Sequence, residues 1–200
     1  STNTGQQIGA AGSSTINFYD LAFTGVGGQW AVQTPVVVDQ DIAATAGTIV
    51  GVSDIEVENG SFSGDGLVAM TGGTVQLNSD NTLGGVNPWQ FNNLILGDGT
   101  AGITTPAGSA TTTVLDTLTI SAGHFLDNGA MTLDLAGSGN VFVENGAFTR
   151  GTGTVRYSGL TPNILRTTYN NLVVDTDSGL SVTATAPSIG LQILGSLTVG

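Results

Sequence analysis

The chain has no cysteine and no lysine, one histidine at His124, and three basic residues, Arg150, Arg156 and Arg166, among 200. Without cysteine there is no disulfide framework, no thiolate metal site and no cysteine nucleophile. One histidine rules out a histidine-rich zinc centre. Fifteen acidic residues against three arginines give a net charge of −12, which excludes a broad phosphate-neutralising surface, so no nucleic-acid partner is expected. The same balance argues against anionic membranes. No apolar run approaches the ~20 residues of a membrane-spanning helix, so no membrane insertion is expected. Residues 1–14 are polar and carry no basic segment ahead of an apolar one, so no secretory leader is read there; an exported protein would be a mature form.

Helix signals are also missing. Glycine numbers 31, and glycine or proline interrupts nearly every stretch of ten, so no apolar stripe of helical period survives. What remains is strand signal in short runs: Ile55-Glu56-Val57, Thr74-Val75-Gln76-Leu77, Leu118-Thr119-Ile120, Thr132-Leu133-Asp134-Leu135 and Val141-Phe142-Val143. Each ends in Gly, Asn or Ser-Gly turn chemistry. Hydrophobic residues make up 40%, enough for a continuous core, and the chain reads as all-β.

The chain also resembles itself. Phe18-Tyr19-Asp20-Leu21 returns as Phe91-Asn92-Asn93-Leu94 and as Tyr169-Asn170-Asn171-Leu172, the leucines lying 73 and 78 residues apart. Gly73-Thr74-Val75 returns as Gly153-Thr154-Val155, and Val57-Glu58-Asn59-Gly60-Ser61-Phe62 as Val143-Glu144-Asn145-Gly146-Ala147-Phe148. Ala46-Gly47 matches Ala122-Gly123, and Leu118-Thr119-Ile120 matches Leu197-Thr198-Val199. The order of landmarks is constant and their spacing varies by a few residues. That pattern predicts one domain, 1–200, divided into units 16–90, 91–167 and an incomplete 168–200.

A unit of about 75 residues holding four or more short strands is long for a single coil. The expectation is therefore a parallel β-helix (β-solenoid) with coils of ~20 residues, three or four per unit, stacked at the ~4.8 Å sheet spacing. A β-sandwich would need longer, turn-linked antiparallel strands and leaves the repeat unexplained.

The series Gly-Thr-Val, a Gly/Ser/Thr segment, (Phe/Tyr)-Asn-Asn-Leu and Leu-Thr-(Ile/Val) resembles the β-strand repeat regions of large bacterial cell-surface proteins of adhesin or autotransporter type. The first unit departs from it, with Tyr19-Asp20-Leu21 in place of Asn-Asn-Leu, and Trp30 and Trp89 have no repeats. The resemblance implies a β-helix, display outside the cell, and structural or adhesive work. It brings no catalytic residues.

In such a stack Leu21, Leu94, Leu172, Phe62, Phe148, Val75 and Val155 are expected inside. Asn92, Asn93, Asn170 and Asn171 are expected at corners, where Asn tolerates left-handed backbone and bonds locally. Gly47, Gly60, Gly123 and Gly146 read as turn positions of positive φ. An open terminal coil invites another strand, so the expected partners are copies of the chain or adjoining repeats end to end, with host or surface glycans as adhesive ligands.

Chemistry is sparse. Asp39 and Asp41 stand at i, i+2 on one strand face, an acid pair of the kind a polysaccharide-acting enzyme uses, but no basic residue lies near; solvent-facing acids are the plainer reading. Gly64-Asp65-Gly66 and Gly97-Asp98-Gly99 lack the tandem nine-residue calcium repeat. The cofactor expectation is none, apart from weak surface Ca²⁺. Thr111-Thr112-Thr113 and Thr167-Thr168 lack the regular Thr-x-Thr of an ice-binding face. His124 is expected to be exposed or half-packed. Trp30, Trp89 and Tyr157 are read as packing aromatics rather than a sugar platform.

Overall fold

The structure, a computed structural model, describes residues 5–9, 14–175 and 190–200. Within them the chain is a parallel β-solenoid with no helix, about eight turns at a step of about 21 residues. The coil of ~20 residues expected from strand and turn spacing is thus the structural period. Three walls run along the axis. The first has ten strands, from Gln6–Ile8 to Leu197–Val199. The second has seven, from Ile16–Phe18 to Phe142–Glu144, and the third seven, from Leu21–Phe23 to Ala147–Thr149.

Strands visit the walls in a fixed order, first, second, third, through seven turns. After Ala147–Thr149, among the described residues, only the first wall continues, through Thr154–Tyr157, Asn171–Val174 and Leu197–Val199, while Thr168–Tyr169 pairs separately with Gln192–Ile193.

Short strands suffice because each needs only two inward side chains. In Thr74–Leu77 the residues alternate half-buried and buried, the period-two pattern of a pleated strand. In-register pairing then sets like on like. In the second wall Val36, Ile55, Val75, Leu94, Leu118 and Phe142 form one inner column, and Val38, Val57, Leu77, Leu96 and Ile120 form the other. All eleven are buried. Full burial of such a side chain stabilises by about 1.5–3 kcal/mol, and the columns repeat that contribution turn by turn.

The 75-residue landmarks do not keep to one wall. Leu21 lies in the third wall, Leu94 in the second and Leu172 in the first. Val75 is in the second wall and Val155 in the first. Only the Val57–Phe62 landmark keeps its walls when it returns at Val143–Phe148, with both valines in the second wall and both phenylalanines in the third. The physical unit is the coil, and the longer sequence repeat slides across the walls. Leu94, Leu172, Phe62, Val75 and Val155 are buried, whereas Leu21 and Phe148 are partly buried and pack against the core.

Candidate functional site

The polar side chains of this rod work mostly at its corners. Where the second wall gives way to the third, the Asp41 N–H donates to Asp20 Oδ1 one turn below at 3.2 Å. The Ser61 N–H donates to Asp41 Oδ1 at 2.8 Å, and the Thr82 N–H to Ser61 Oγ at 2.9 Å. Further up that corner the Ile103 N–H donates to Asp80 Oδ1 at 2.9 Å. Where the first wall meets the second, the Thr74 N–H donates to Asp54 Oδ1 at 2.8 Å and the Thr117 N–H to Asn93 Oδ1 at 3.2 Å. These N–H groups lie where the strand ladder lapses, and a short acidic, amide or hydroxyl side chain from the turn below takes each one.

This corrects several expectations. Asp39 and Asp41 are not on a strand; they lie in the corner between Val36–Val38 and Ile42–Ala44. Asp39 Oδ1 accepts from Asn59 Nδ2 at 2.8 Å, so each carboxylate already has a structural partner in the next turn. The asparagines do not use left-handed backbone, since among the described residues no residue other than glycine has positive φ. Asn93 and Asn171 open strands instead, and they bond between turns rather than locally. Asn171 Oδ1 accepts the Ser196 N–H at 3.1 Å, and Asn170 Nδ2 donates to Thr152 O at 2.9 Å. Asn92 occupies the single-residue corner between Trp89–Phe91 and Asn93–Leu96, with its carbonyl accepting the Asp116 N–H.

Gly47 and Gly123 do have positive φ, 75° and 82°. Gly60 and Gly146 do not; they are glycines because the turn below passes too close. A Cβ on Gly60 would lie 2.5 Å from the Gln40 carbonyl, and one on Gly146 would lie 2.2 Å from His124 O.

His124 is fully buried, contrary to the expectation of an exposed or half-packed ring, because it occupies an inward position of the His124–Asp127 strand. Its Nε2 lies 2.8 Å from Thr104 Oγ1. Burial lowers its pKa from the ordinary 6.5, against a weaker upward pull from Asp80 and Asp98. Trp89 and Tyr157 are buried as well. Trp89 lies 4.9 Å from Phe62, ring centre to ring centre, and donates through Nε1 to Gly66 O at 2.9 Å. Trp30 is half-buried, with its ring 5.2 Å from Phe23. The three rings do not form a surface platform.

A shallow groove of about 300 Å³ lies on the outer face of the second wall, lined by Asp54, Ile55, Glu56, Thr74, Gln76 and Ile95. Glu56 Oε1 accepts from Asn78 Nδ2 at 2.8 Å, and Gln76 Nε2 donates to Asn78 Oδ1 at 2.7 Å. The lining brings two carboxylates together without a basic residue. It can accept hydrogen bonds, but no cationic side chain stands in it to steady an oxyanion. Sequence reasoning missed it because Asp54 and Glu56 meet Thr74, Gln76 and Ile95 only through the coil step.

Of the two Gly-Asp-Gly turns, the one at 97–99 is hydrogen-bonded locally. Asp98 Oδ1 accepts the Thr100 hydroxyl at 2.6 Å and its N–H at 2.9 Å, and these bonds hold the carboxyl below its ordinary pKa. Among the described residues no three His, Cys, Asp or Glu side chains are grouped as metal ligands. Thr112 is buried between half-buried Thr111 and Thr113, so that run does not form one flat face.

No protein-family model, no curated protein and no solved structure matches the chain.

Proposed function

We propose that the chain is an extracellular structural and adhesive element of a microbial cell surface, a β-solenoid segment of a stalk or filament rather than an enzyme. The observation that carries this reading is the direction of its side-chain hydrogen bonds. Asp20, Asp41, Ser61, Asp54, Asp80, Asn93 and Asn171 each bond the turn above. Polar chemistry is thereby spent along the axis, where it resists pulling apart of turns, and little converges on a cleft. The likeness of the repeats to adhesin-type surface proteins supports the extracellular placement, as does a composition free of cysteine and lysine.

In this reading a further coil, from adjoining repeats or a second copy, stacks on the Leu197–Val199 strand and covers Leu194, Leu197 and Val199, all exposed here. Adhesion uses the outer faces and corners, toward host or surface glycans. Negative-stain electron microscopy of the purified chain at rising concentration is the test. Fibres of constant width identify a filament subunit, and particles that stay single identify a stalk segment. Hydrolysis or β-elimination of a polysaccharide, lost in Asp54→Asn or Glu56→Gln, would overturn the structural reading in favour of an enzyme.

A further inference from the structure

The buried histidine has a use beyond packing. His124 opens the third-wall strand of the sixth turn. Its Nε2 is engaged by Thr104 of the fifth turn, but its Nδ1 has no partner. Nδ1 faces the 97–102 segment: a Cβ built on Gly97 or Gly102 would lie within 2.9 Å of it. The same point over Gly102 is 3.1 Å from the carbonyl carbon of Ser79, whose own Oγ is buried and unpartnered. A side chain at 97 or 102 would take the space that the ring fills.

Two charged groups act on the ring, Asp80 and Asp98, and both carboxylates are held in the closed corner, by the Ile103 N–H and by Thr100. The strands packed against His124–Asp127, namely Asn93–Leu96, Gly102–Pro106, Leu118–Ile120 and Ala147–Thr149, carry no charged side chain. On flanking positions stand Asp127 of its own strand, Glu144 and Arg150.

The geometry points to His124 as an acid-released latch between the fifth and sixth turns: the neutral ring closes the 97–104 corner, and protonation of the ring opens it. A protonated ring carries N–H groups on both nitrogens, and in the closed corner Nδ1 has no hydrogen-bond partner, so the charge would be buried where it is costly. Asp98 and Asp80, fastened through Oδ1 to Thr100 and to the Ile103 N–H, are the carboxylates that an opened corner would bring to the charged ring. The lowered proton affinity of the ring agrees with this, since it measures the resistance of the closed state to charge. Between pH 5 and 8 histidine is the side chain whose ordinary titration falls in range, and the chain has only one.

Amide hydrogen exchange on the full chain tests the latch, with rates corrected for intrinsic exchange. Protection of the Gly97, Ile103 and Thr104 amides is expected to fall by up to about tenfold per pH unit as pH drops below 6.5. The loss should be absent in His124→Gln and retained in Glu144→Gln. Equal loss in His124→Gln, or none in the unmodified chain, overturns the proposal. Should His124→Gln fail to fold, the imidazole resonances of the unmodified chain decide: a ring that titrates while the three amides stay protected also overturns it.

Discussion

The hydroxyls of Tyr157 and Tyr169 meet at 2.9 Å inside the solenoid and close a circuit through one backbone residue. The Leu165 N–H donates to Tyr157 Oη at 3.2 Å, and Tyr169 Oη donates to Leu165 O at 2.8 Å, which leaves the Tyr157 proton for Tyr169. Burial pushes the Tyr157 pKa up to about 12 and raises that of Tyr169 further, so both remain phenols. The circuit follows the last described strands of the second and third walls, and it satisfies polar groups of the irregular stretch between Thr154–Tyr157 and Thr168–Tyr169. Tyr169→Phe strands Leu165 O and the Tyr157 proton, at a cost of about 1–3 kcal/mol. Urea unfolding of Tyr157→Phe, Tyr169→Phe and the double variant measures it. The double variant should cost less than the two singles combined, because each single already breaks the circuit.

Gly146 and Gly139 should respond differently to the same added methyl. Gly139 has φ +72° with open space around it, so alanine there costs only the left-handed backbone penalty, roughly 1–2 kcal/mol. Gly146 has ordinary φ, but its Cβ would meet His124 O at 2.2 Å and Ser121 O at 2.3 Å. Both obstacles are backbone of the turn below and can yield only by separating turns. Gly146→Ala should therefore lower the melting temperature more than Gly139→Ala, and calorimetry of the two variants ranks them.

Glu144 gives a pH dependence of opposite sign to that of His124. Its carboxyl is half-buried, and burial raises its pKa above the ordinary 4.5 despite the Phe148 N–H that donates to Oε1 at 2.9 Å. The folded state thus holds its proton to higher pH than the unfolded chain does. Stability from this group is fully present below 4.5 and lost as pH rises through the raised folded value. Glu144→Gln keeps an acceptor for Phe148 and removes the titration. The variant should gain stability relative to the unmodified chain at pH 7, and the gain should shrink when both are unfolded at pH 4. A difference independent of pH would contradict the assignment.

Much of the architecture was legible because the coil is written locally. Thr74-Val75-Gln76-Leu77 and Leu118-Thr119-Ile120 show the inward–outward alternation, and the glycines and asparagines after such runs mark the corners. The walls were not legible. Leu94 and Leu172 carry the same aromatic-Asn-Asn-Leu motif yet lie on different walls. Every wall asks for the same thing, two inward apolar residues and a corner, so local sequence cannot tell one wall from another. Nor was His124 legible as buried, since its place depends on Gly97 and Gly102 more than twenty residues before it. The stack itself is testable at Leu94, which is 1% exposed between Val75 and Leu118. Leu94→Ala should cost about 2–5 kcal/mol, and Leu94→Asp should abolish the cooperative unfolding transition.

The corner ladder separates a structural acid from a catalytic one. Asp41 Oδ1 accepts the Ser61 N–H, and the Asp41 N–H itself donates to Asp20 Oδ1. What the ladder needs at position 41 is a short side chain with an oxygen; it does not need the charge. Asn supplies that oxygen and Ala does not. Asp41→Asn should leave stability within about 0.5 kcal/mol of the unmodified chain, and Asp41→Ala should cost about 0.5–1.5 kcal/mol through the lost bond. Replacing Asp39 and Asp41 together by Asn should likewise spare any glycan adhesion, because both acids face the neighbouring turn rather than a ligand. Thermal unfolding and a glycan-binding assay on the same three variants read both quantities. If Asn proves as damaging as Ala, the carboxylate charge does something that the ladder does not require, and the acids of this corner would have to be read as a site.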